Sequence, residues 1–302
     1  MPFKFKAISA ETKRLIDIGN QVIRDCRAIV AMGAGNQVQN VASTQGRSAY
    51  LTAAVQSDQK YQWDRPLRNG TVTVAYGAGN CQDQAAVTYT ILRSKLTAAE
   101  QTSFCANYAI HHSFATIGVP GTDPEDQVIC VDPWPIKAQA LLLEDHFCKV
   151  GVQVLRHKKG GKGDYMQRLN KQKNKSSQAT AKKQIANGSV FNVNAIINSA
   201  GMWNHEYCSN NRITWVYKVR ATWIADNQRA QCHGCKKAFG ITLWRHHCRS
   251  CGEIYCDACS AGRTVVGIPV TEPGKPEVNL SNGPVRVCAQ CFKQITAGGL
   301  GG

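Results

Sequence analysis

Eight of the fourteen cysteines fall between residues 232 and 291, in four Cys-x-x-Cys pairs: Cys232/Cys235, Cys248/Cys251, Cys256/Cys259 and Cys288/Cys291. Two thiolates at this spacing can take two corners of a tetrahedron, so two pairs complete one four-thiolate zinc site and four pairs imply two zinc ions. Disulfides or free buried thiols are the alternative, but four such pairs favour metal. Another cysteine is placed for nucleophilic chemistry. Gly77-Ala78-Gly79-Asn80-Cys81 precedes a helix-compatible run to about Leu96. Asn80 is a good N-cap, which puts Cys81 at a helix N-terminus. There the helix dipole and unpaired N–H groups favour a thiolate and can form an oxyanion hole.

Such a thiolate needs a base, and the base needs an orienting acceptor. His112 opens a β-like run over 112–119, and Asp132 closes another over 128–132. The turn-rich stretch 120–124 between them makes the two runs a hairpin. A histidine at the start of one strand lies near the end of its antiparallel partner, so His112 and Asp132 can meet. His111 competes with His112. An oxyanion glutamine has no fixed place; Gln56, Gln59 and Gln62 are candidates. Taken singly, these residues read as a buried thiol, a strand histidine and an Asp-Pro turn. Only their order and contexts together suggest catalysis. Cys26, Cys105, Cys130, Cys148 and Cys208 lack such contexts and read as core thiols. Cys208 with His205 falls two ligands short of a metal site.

The elements that must position these groups follow from patterning over 302 residues, 43% of them hydrophobic. That supports a packed core, and no apolar run is long enough to span a membrane. The N-terminal sequence lacks the apolar run of a secretory signal, which disfavours a disulfide framework. Ser9 can cap a helix on which Leu15, Ile18, Val22 and Ile29 recur. Thr97-Ala98-Ala99-Glu100 has capping-box form. The repeat Gly-Ala-Gly-Asn at 33–36 and 77–80 is short enough to arise by chance, and neither copy is a phosphate loop.

The net charge of +16 is uneven. Residues 151–222 hold 13 Lys/Arg against 2 Asp/Glu, whereas residues 1–150 are nearly balanced. The expected organisation is α+β: a first domain over 1–155, a basic flexible segment over 156–189, a completion or connector over 190–222, and a cysteine-rich domain over 223–296. Nucleic-acid binding through 156–183 is disfavoured, because Tyr165 is its only aromatic residue and no recognition motif accompanies it.

Trp223-Ile224-Ala225-Asp226, Arg245-His246-His247-Cys248-Arg249 and Arg286-Val287-Cys288, with the eight cysteines in order, resemble the FYVE zinc finger. The resemblance implies cross-braced zinc sites. One takes Cys232, Cys235, Cys256 and Cys259; the other takes Cys248, Cys251, Cys288 and Cys291. It implies binding to phosphatidylinositol 3-phosphate membranes through Asp226, Arg245, His246, His247, Arg249 and Arg286. Arginine forks suit phosphate oxygens. Ile241, Leu243 and Trp244 occupy the place of the membrane-inserting loop. Trp244 departs from the family, which has an arginine there. The histidines imply tighter binding at mildly acidic pH.

The first domain's Gly79-Asn80-Cys81, His112-x-Phe114-x-x-x-Gly118 and Val131-Asp132-Pro133-Trp134 resemble papain-like cysteine enzymes of the YopT/AvrPphB effector type. That implies Cys81 as nucleophile, His112 as base and acid, and Asp132 as its orienter. Together the two resemblances imply a thiol hydrolase, a peptidase or glutamine deamidase, acting on an unidentified protein substrate. They place it at the cytoplasmic face of endosomes or phagosomes, as a bacterial effector in a host cell. The alternative is a phosphoinositide-binding scaffold whose first domain is not catalytic.

Overall fold

The computed structural model describes residues 3–161, 191–199, 202–203, 214–219, 221–267, 269–270 and 283–297, with Gly163, Leu169, Ile185 and Pro273 besides. The chain divides into two compact units, one of Met1–Lys13 with Ile213–Gly302 and one of Arg14–Arg212. Among the described residues, no helix is long and apolar enough to cross a membrane.

Strand β1 (Phe3–Ile8) precedes helix α1 (Ala10–Ile29). Ser9 Oγ accepts the Thr12 N–H at 2.9 Å, the N-cap that the sequence suggests. Helix α1 buries Ile16, Val22, Ile23 and Cys26 at helical spacing. Helices α2 (Val38–Ser43), α3 (Arg47–Gln56), α4 (Pro66–Tyr76) and α5 (Cys81–Lys95) follow. Strands β2 (Gln101–Asn107), β3 (His112–Ile117), β4 (Ile129–Val131), β5 (Leu141–Leu142) and β6 (Gln153–Lys159) form one antiparallel sheet in the order β5-β4-β3-β2-β6. Helix α5 packs on α4 and on β2 and β3, and residues 83–92 of it are buried throughout. A short helix, α6 (Val193–Ile197), packs on α2.

Three expectations change. Thr97–Glu100 does not start a helix. Glu100 does accept the Thr97 N–H at 2.6 Å, but the pair closes a turn that feeds β2. The segment expected to be flexible begins inside the sheet, because 156–159 belong to β6 and Gly160 N–H continues the pairing to Glu100 O at 2.9 Å. Its remainder lies largely outside the described residues. The boundary at 155 also fails at the other end of the chain. Residues 3–8 group with the cysteine-rich unit, through parallel pairing of β1 with β7 (Thr214–Val219). Residues 190–222 are thus divided: Phe191 meets Tyr50 in one unit, and β7 lies in the other.

The other strands of the cysteine-rich unit are very short: β8 (His246–His247) with β9 (Ile254–Tyr255), and β10 (Gly262–Thr264) with β11 (Val285–Val287). Helix α7 (Ala289–Ala297) follows. Gly252 turns the chain after Cys251 with φ +76°, and a Cβ there would lie 2.1 Å from Thr222 O. Only glycine fits that approach.

Candidate functional site

Two constellations stand out, one in each unit. In the Arg14–Arg212 unit, α5 starts at Cys81 because Asn80 adopts extended backbone and its N–H donates to Asp83 Oδ2 at 2.9 Å. Gly79 is required here, since a Cβ would lie 2.5 Å from Asp83 Cβ. Burial pushes the Asp83 carboxyl up to about 6, against the lowering effect of the Asn80 N–H and of Tyr61, whose hydroxyl donates at 2.9 Å.

The β3–β4 hairpin delivers the other two groups. His112 Nε2 lies 2.6 Å from Asp132 Oδ2, and both side chains are fully buried. Asp132 Oδ1 accepts the Trp134 N–H at 3.1 Å, which fixes the carboxylate. His112 Nδ1 makes no hydrogen bond among the described residues and is the ring nitrogen left for the thiol. Burial alone would lower His112. Asp132, and after it Cys81, more than offset that and raise it to about 10. Burial alone would raise Asp132; His112 and then His146 hold it well below the usual carboxylate range. His111 stays exposed, in the left-handed region at φ 49°, and contributes its carbonyl to the Cys81 thiol at 3.8 Å. So His112 pairs with Asp132, and His111 does not.

His146 and Gln37 escaped the sequence reading. His146 Nδ1 accepts the Cys148 N–H at 3.3 Å, so its Nε2 carries the proton facing Asp132 Oδ2 at 3.4 Å. Burial keeps His146 below its ordinary value. Asp132 therefore sits between two imidazoles. Nothing in the spacing of His146 announces this. Gln37 is fully buried and donates from Nε2 to Trp134 O at 2.5 Å. The two Gly-Ala-Gly-Asn copies bond to each other, Gly79 N–H to Gly33 O at 3.1 Å, and Asn36 Oδ1 accepts Trp134 Nε1–H at 3.2 Å. By contrast, Gln56 and Gln59 are exposed, and the Gln62 N–H is tied to Asn69 Oδ1. Cys81 packs with Ala34 and Trp134, under Ile136 and Trp203, and is only 7% exposed. Cys26, Cys105, Cys130 and Cys148 are buried as expected, and burial pushes Cys26 and Cys105 up to about 12. Cys208 and His205 lie outside the described residues.

In the other unit the eight cysteines gather into two quartets. Cys232, Cys235, Cys256 and Cys259 form one; Cys248, Cys251, Cys288 and Cys291 form the other, with all sulfurs of a quartet within 4.8 Å of one another. A tetrahedral zinc with Zn–S of about 2.3 Å needs sulfur–sulfur edges of about 3.8 Å. Cys235 Sγ and Cys256 Sγ are 3.8 Å apart. Backbone N–H groups already point at ligand sulfurs, Cys256 at Cys232 Sγ and Cys288 at Cys248 Sγ, each at 3.2 Å. The donor set fits zinc, and the quartets interleave along the chain.

The same unit holds a cavity of about 650 Å³ lined by Asp226, Arg245, His246, His247, Arg249 and Arg286. His247 stacks on Trp223 at 3.7 Å and bonds the Ile224 carbonyl through Nε2 at 2.7 Å. Arg249 lies over the same indole at 4.5 Å. These contacts hold both side chains in place before any ligand arrives. Arg286 Nη1 donates to Asp257 Oδ1 at 2.7 Å. Burial, then Arg286, pushes His246 below its ordinary value.

The neighbouring loop needs one correction. Leu243 was expected to face the bilayer, but it packs, partly buried, against the cysteine core. Ile241 is 96% exposed and Trp244 71% exposed, and Trp244 Nε1–H is tied back to Ile241 O at 3.0 Å. These two form the apolar tip.

The FYVE zinc finger family model matches residues 222–297. Zinc finger FYVE domain-containing protein 1 of Homo sapiens is 40% identical over 74 residues, which are 24% of this chain and 8% of that protein. Early endosome antigen 1 of Homo sapiens is 40% identical over 73 residues, 24% of this chain and 4% of that protein. Among solved structures, the LM5-1 FYVE domain from Leishmania major is 30% identical, with a TM-score of 0.20, and the match covers 26% of this chain and 83% of that one. The chain thus spans less than a tenth of the length of these two curated relatives. The family match does not include Cys81, His112 or Asp132. Residues 222–297 are a FYVE zinc finger, and this domain binds two zinc ions.

Proposed function

We propose that this chain is a cysteine hydrolase held at phosphatidylinositol 3-phosphate membranes by its FYVE domain. The hydrolase reading is carried by one observation: the buried His112–Asp132 pair of 2.6 Å, presented to a cysteine at the N-terminus of α5. In the reaction, the Cys81 sulfur attacks an acyl carbon. The His112 imidazolium protonates the departing amine or ammonia. Water then attacks the thioester, His112 takes its proton, and the acid and free thiol are released. Peptides and glutamine amides share this chemistry. The membrane reading rests on the six polar residues around one cavity and on the exposed tip beside it. It puts the chain at the cytoplasmic face of endosomal or phagosomal membranes, where tethering concentrates the enzyme on its substrate. Origin as a bacterial effector rests on the pairing of the two resemblances.

The burial of Cys81 favours a second reading, a lipid-binding scaffold whose first unit is not catalytic. Alkylation separates the two. With zinc saturating, iodoacetamide labels Cys81 at pH 6 about ten-fold or more faster in the wild type than in His112→Ala. Equal, slow labelling in both proteins establishes the scaffold.

The tip gives a further expected result. Ile241→Asp weakens co-sedimentation with vesicles containing phosphatidylinositol 3-phosphate by about ten-fold or more, because it removes an apolar contact of roughly 1.5–3 kcal/mol and adds a charge that anionic lipid repels. Leu243→Ala instead lowers the stability of the finger. Undiminished sedimentation of Ile241→Asp would show that the tip does not enter the bilayer.

A further inference from the structure

We propose that the Arg14–Arg212 unit carries a binding site for a small, multiply phosphorylated polyol, in the cavity where the start of α4, the middle of α5 and β6 meet. The cavity has a volume of about 390 Å³, within the usual range for small-ligand sites. Five cations line it: Arg65, Arg68, Arg93, Arg156 and Lys158. They come from three elements. Arg65 precedes α4 and Arg68 lies in its first turn. Arg93 follows Tyr89 by one turn on α5. Arg156 and Lys158 are two apart on β6, an edge strand, and so share a face.

Anions are scarce there. Asp64 meets the cluster through Arg156. It pairs with Arg156 at 3.5 Å, and its backbone carbonyl accepts Arg156 Nε–H at 2.6 Å. Arg65, Arg68 and Lys158 have no acidic partner among the described residues. The charge on α4 runs against the usual preference as well. A helix N-terminus favours negative side chains. The first turn of α4 has no acidic residue, and Arg65 at its N-cap makes no side-chain cap bond. Cations thus crowd onto the positive end of a helix. An anion seated in the cavity would satisfy both the guanidinium forks and that helix end.

The floor narrows the ligand class. Pro66 and Tyr89 lie at the base, and Tyr89 is only 1% exposed. A buried ring cannot take the stacked bases on which single-stranded nucleic acid depends. An apolar floor under a rim of five cations suits the carbon face of a compact ring that bears several phosphates. Inositol phosphates are that chemistry, whether free or as a lipid head group. The site is distinct from the FYVE cavity, which is lined by residues of the other unit.

The test uses the full zinc-loaded chain in an Arg249→Gln background, so that the FYVE cavity does not dominate the signal. Inositol 1,4,5-trisphosphate is titrated by calorimetry. Phosphatidylcholine vesicles with and without phosphatidylinositol 4,5-bisphosphate are used in parallel. Binding is expected, falling steeply with salt. Arg65→Gln/Arg156→Gln weakens it by about a hundred-fold, roughly ten-fold for each guanidinium. Both residues are exposed, so the fold survives, as circular dichroism will show. Arg65→Lys/Arg156→Lys keeps the charge but loses the forks, and falls between. Capture of the free trisphosphate assigns a soluble ligand, and capture of the vesicles alone assigns a head group; either upholds the site. No binding, equal affinity in the double Gln variant, or better displacement by a single-stranded oligonucleotide at equal phosphate concentration overturns it.

Discussion

Stripping both zinc ions unfolds residues 222–297 and leaves the helices and five-stranded sheet of the Arg14–Arg212 unit in place. The reason is the composition of the finger's interior. Its buried cluster is Cys232, Cys248, Tyr255, Cys256, Val266, Val287, Cys288, Cys291 and Ile295, so most of it is metal ligand. Its strands are two or three residues long and cannot hold themselves together. Without metal, four sulfurs within 4.8 Å of one another must protonate or repel. Structural zinc contributes on the order of 10 kcal/mol to such folds, more than a domain of this size gains from apolar burial alone. A strong chelator should therefore abolish the low-temperature melting transition and the near-ultraviolet signal of Trp223, which stacks on His247. Cys248→Ser should do so in the presence of zinc, and vesicle binding should go with it. A finger that keeps its Trp223 signal when elemental analysis finds no zinc would refute this account.

The second large effect is expected from Asp132→Asn. The side chain keeps its shape but loses the charge that holds His112 protonated and bonded at 2.6 Å. Removing one partner of a buried ion pair costs about 3–5 kcal/mol. The pH dependence carries a sign. The folded value of His112, about 10, lies above its unfolded value. Its contribution is full below about pH 6.5 and is lost as pH climbs towards 10. Asp132 is depressed in the fold, so its contribution is full above about pH 4 and is lost as pH falls below that. Urea unfolding of the wild type should thus show greatest stability of this unit in mildly acidic to neutral solution, with a decline towards pH 10. In Asp132→Asn the overall stability drops and the alkaline decline disappears. Iodoacetamide labelling of Cys81 slows in the same variant. A loss below about 1 kcal/mol, or an unchanged alkaline slope, would mean that the pair is not ionised in the folded protein.

How far the sequence reached depended on whether a signal was local. Helix starts at Ser9 and Asn80 are local signals, and both helices begin there, the first capped by the Ser9 hydroxyl and the second held by Asp83, which accepts the Asn80 N–H. The hairpin that brings His112 to Asp132 is short, with turn residues at its bend, so its pairing was legible from two β-like runs and the turn between them. The Cys-x-x-Cys spacing announced both zinc quartets. What failed was non-local. Thr97 and Glu100 make their capping bond, yet sheet pairing takes the next residue into β2. Leu243 was read from its place in a loop, but packing against the cysteines turns it inward. Arg156 and Lys158 looked like the start of a solvated tract, because charge hides the strand alternation that pairs them with β2. Gln37 and His146 reach Trp134 and Asp132 only through the fold, and no spacing rule finds such partners.

Pairing of β1 with β7 sets an order of events during synthesis. Phe3 lies opposite Thr214 and Ile8 opposite Val219, so β1 needs a partner made about 200 residues after it. At roughly 5–20 residues per second, β1 waits on the order of 10–40 s without its neighbour. An unpaired strand carrying Phe3 and Phe5 is an aggregation hazard in that interval. Lys4 and Lys6 alternate with these phenylalanines, and after pairing they rest over Trp215 at 5.4 and 5.6 Å. The same two lysines thus guard the nascent strand and later cover an indole. The Arg14–Arg212 unit can fold in the meantime, because among the described residues its sheet pairing ends at Gly160.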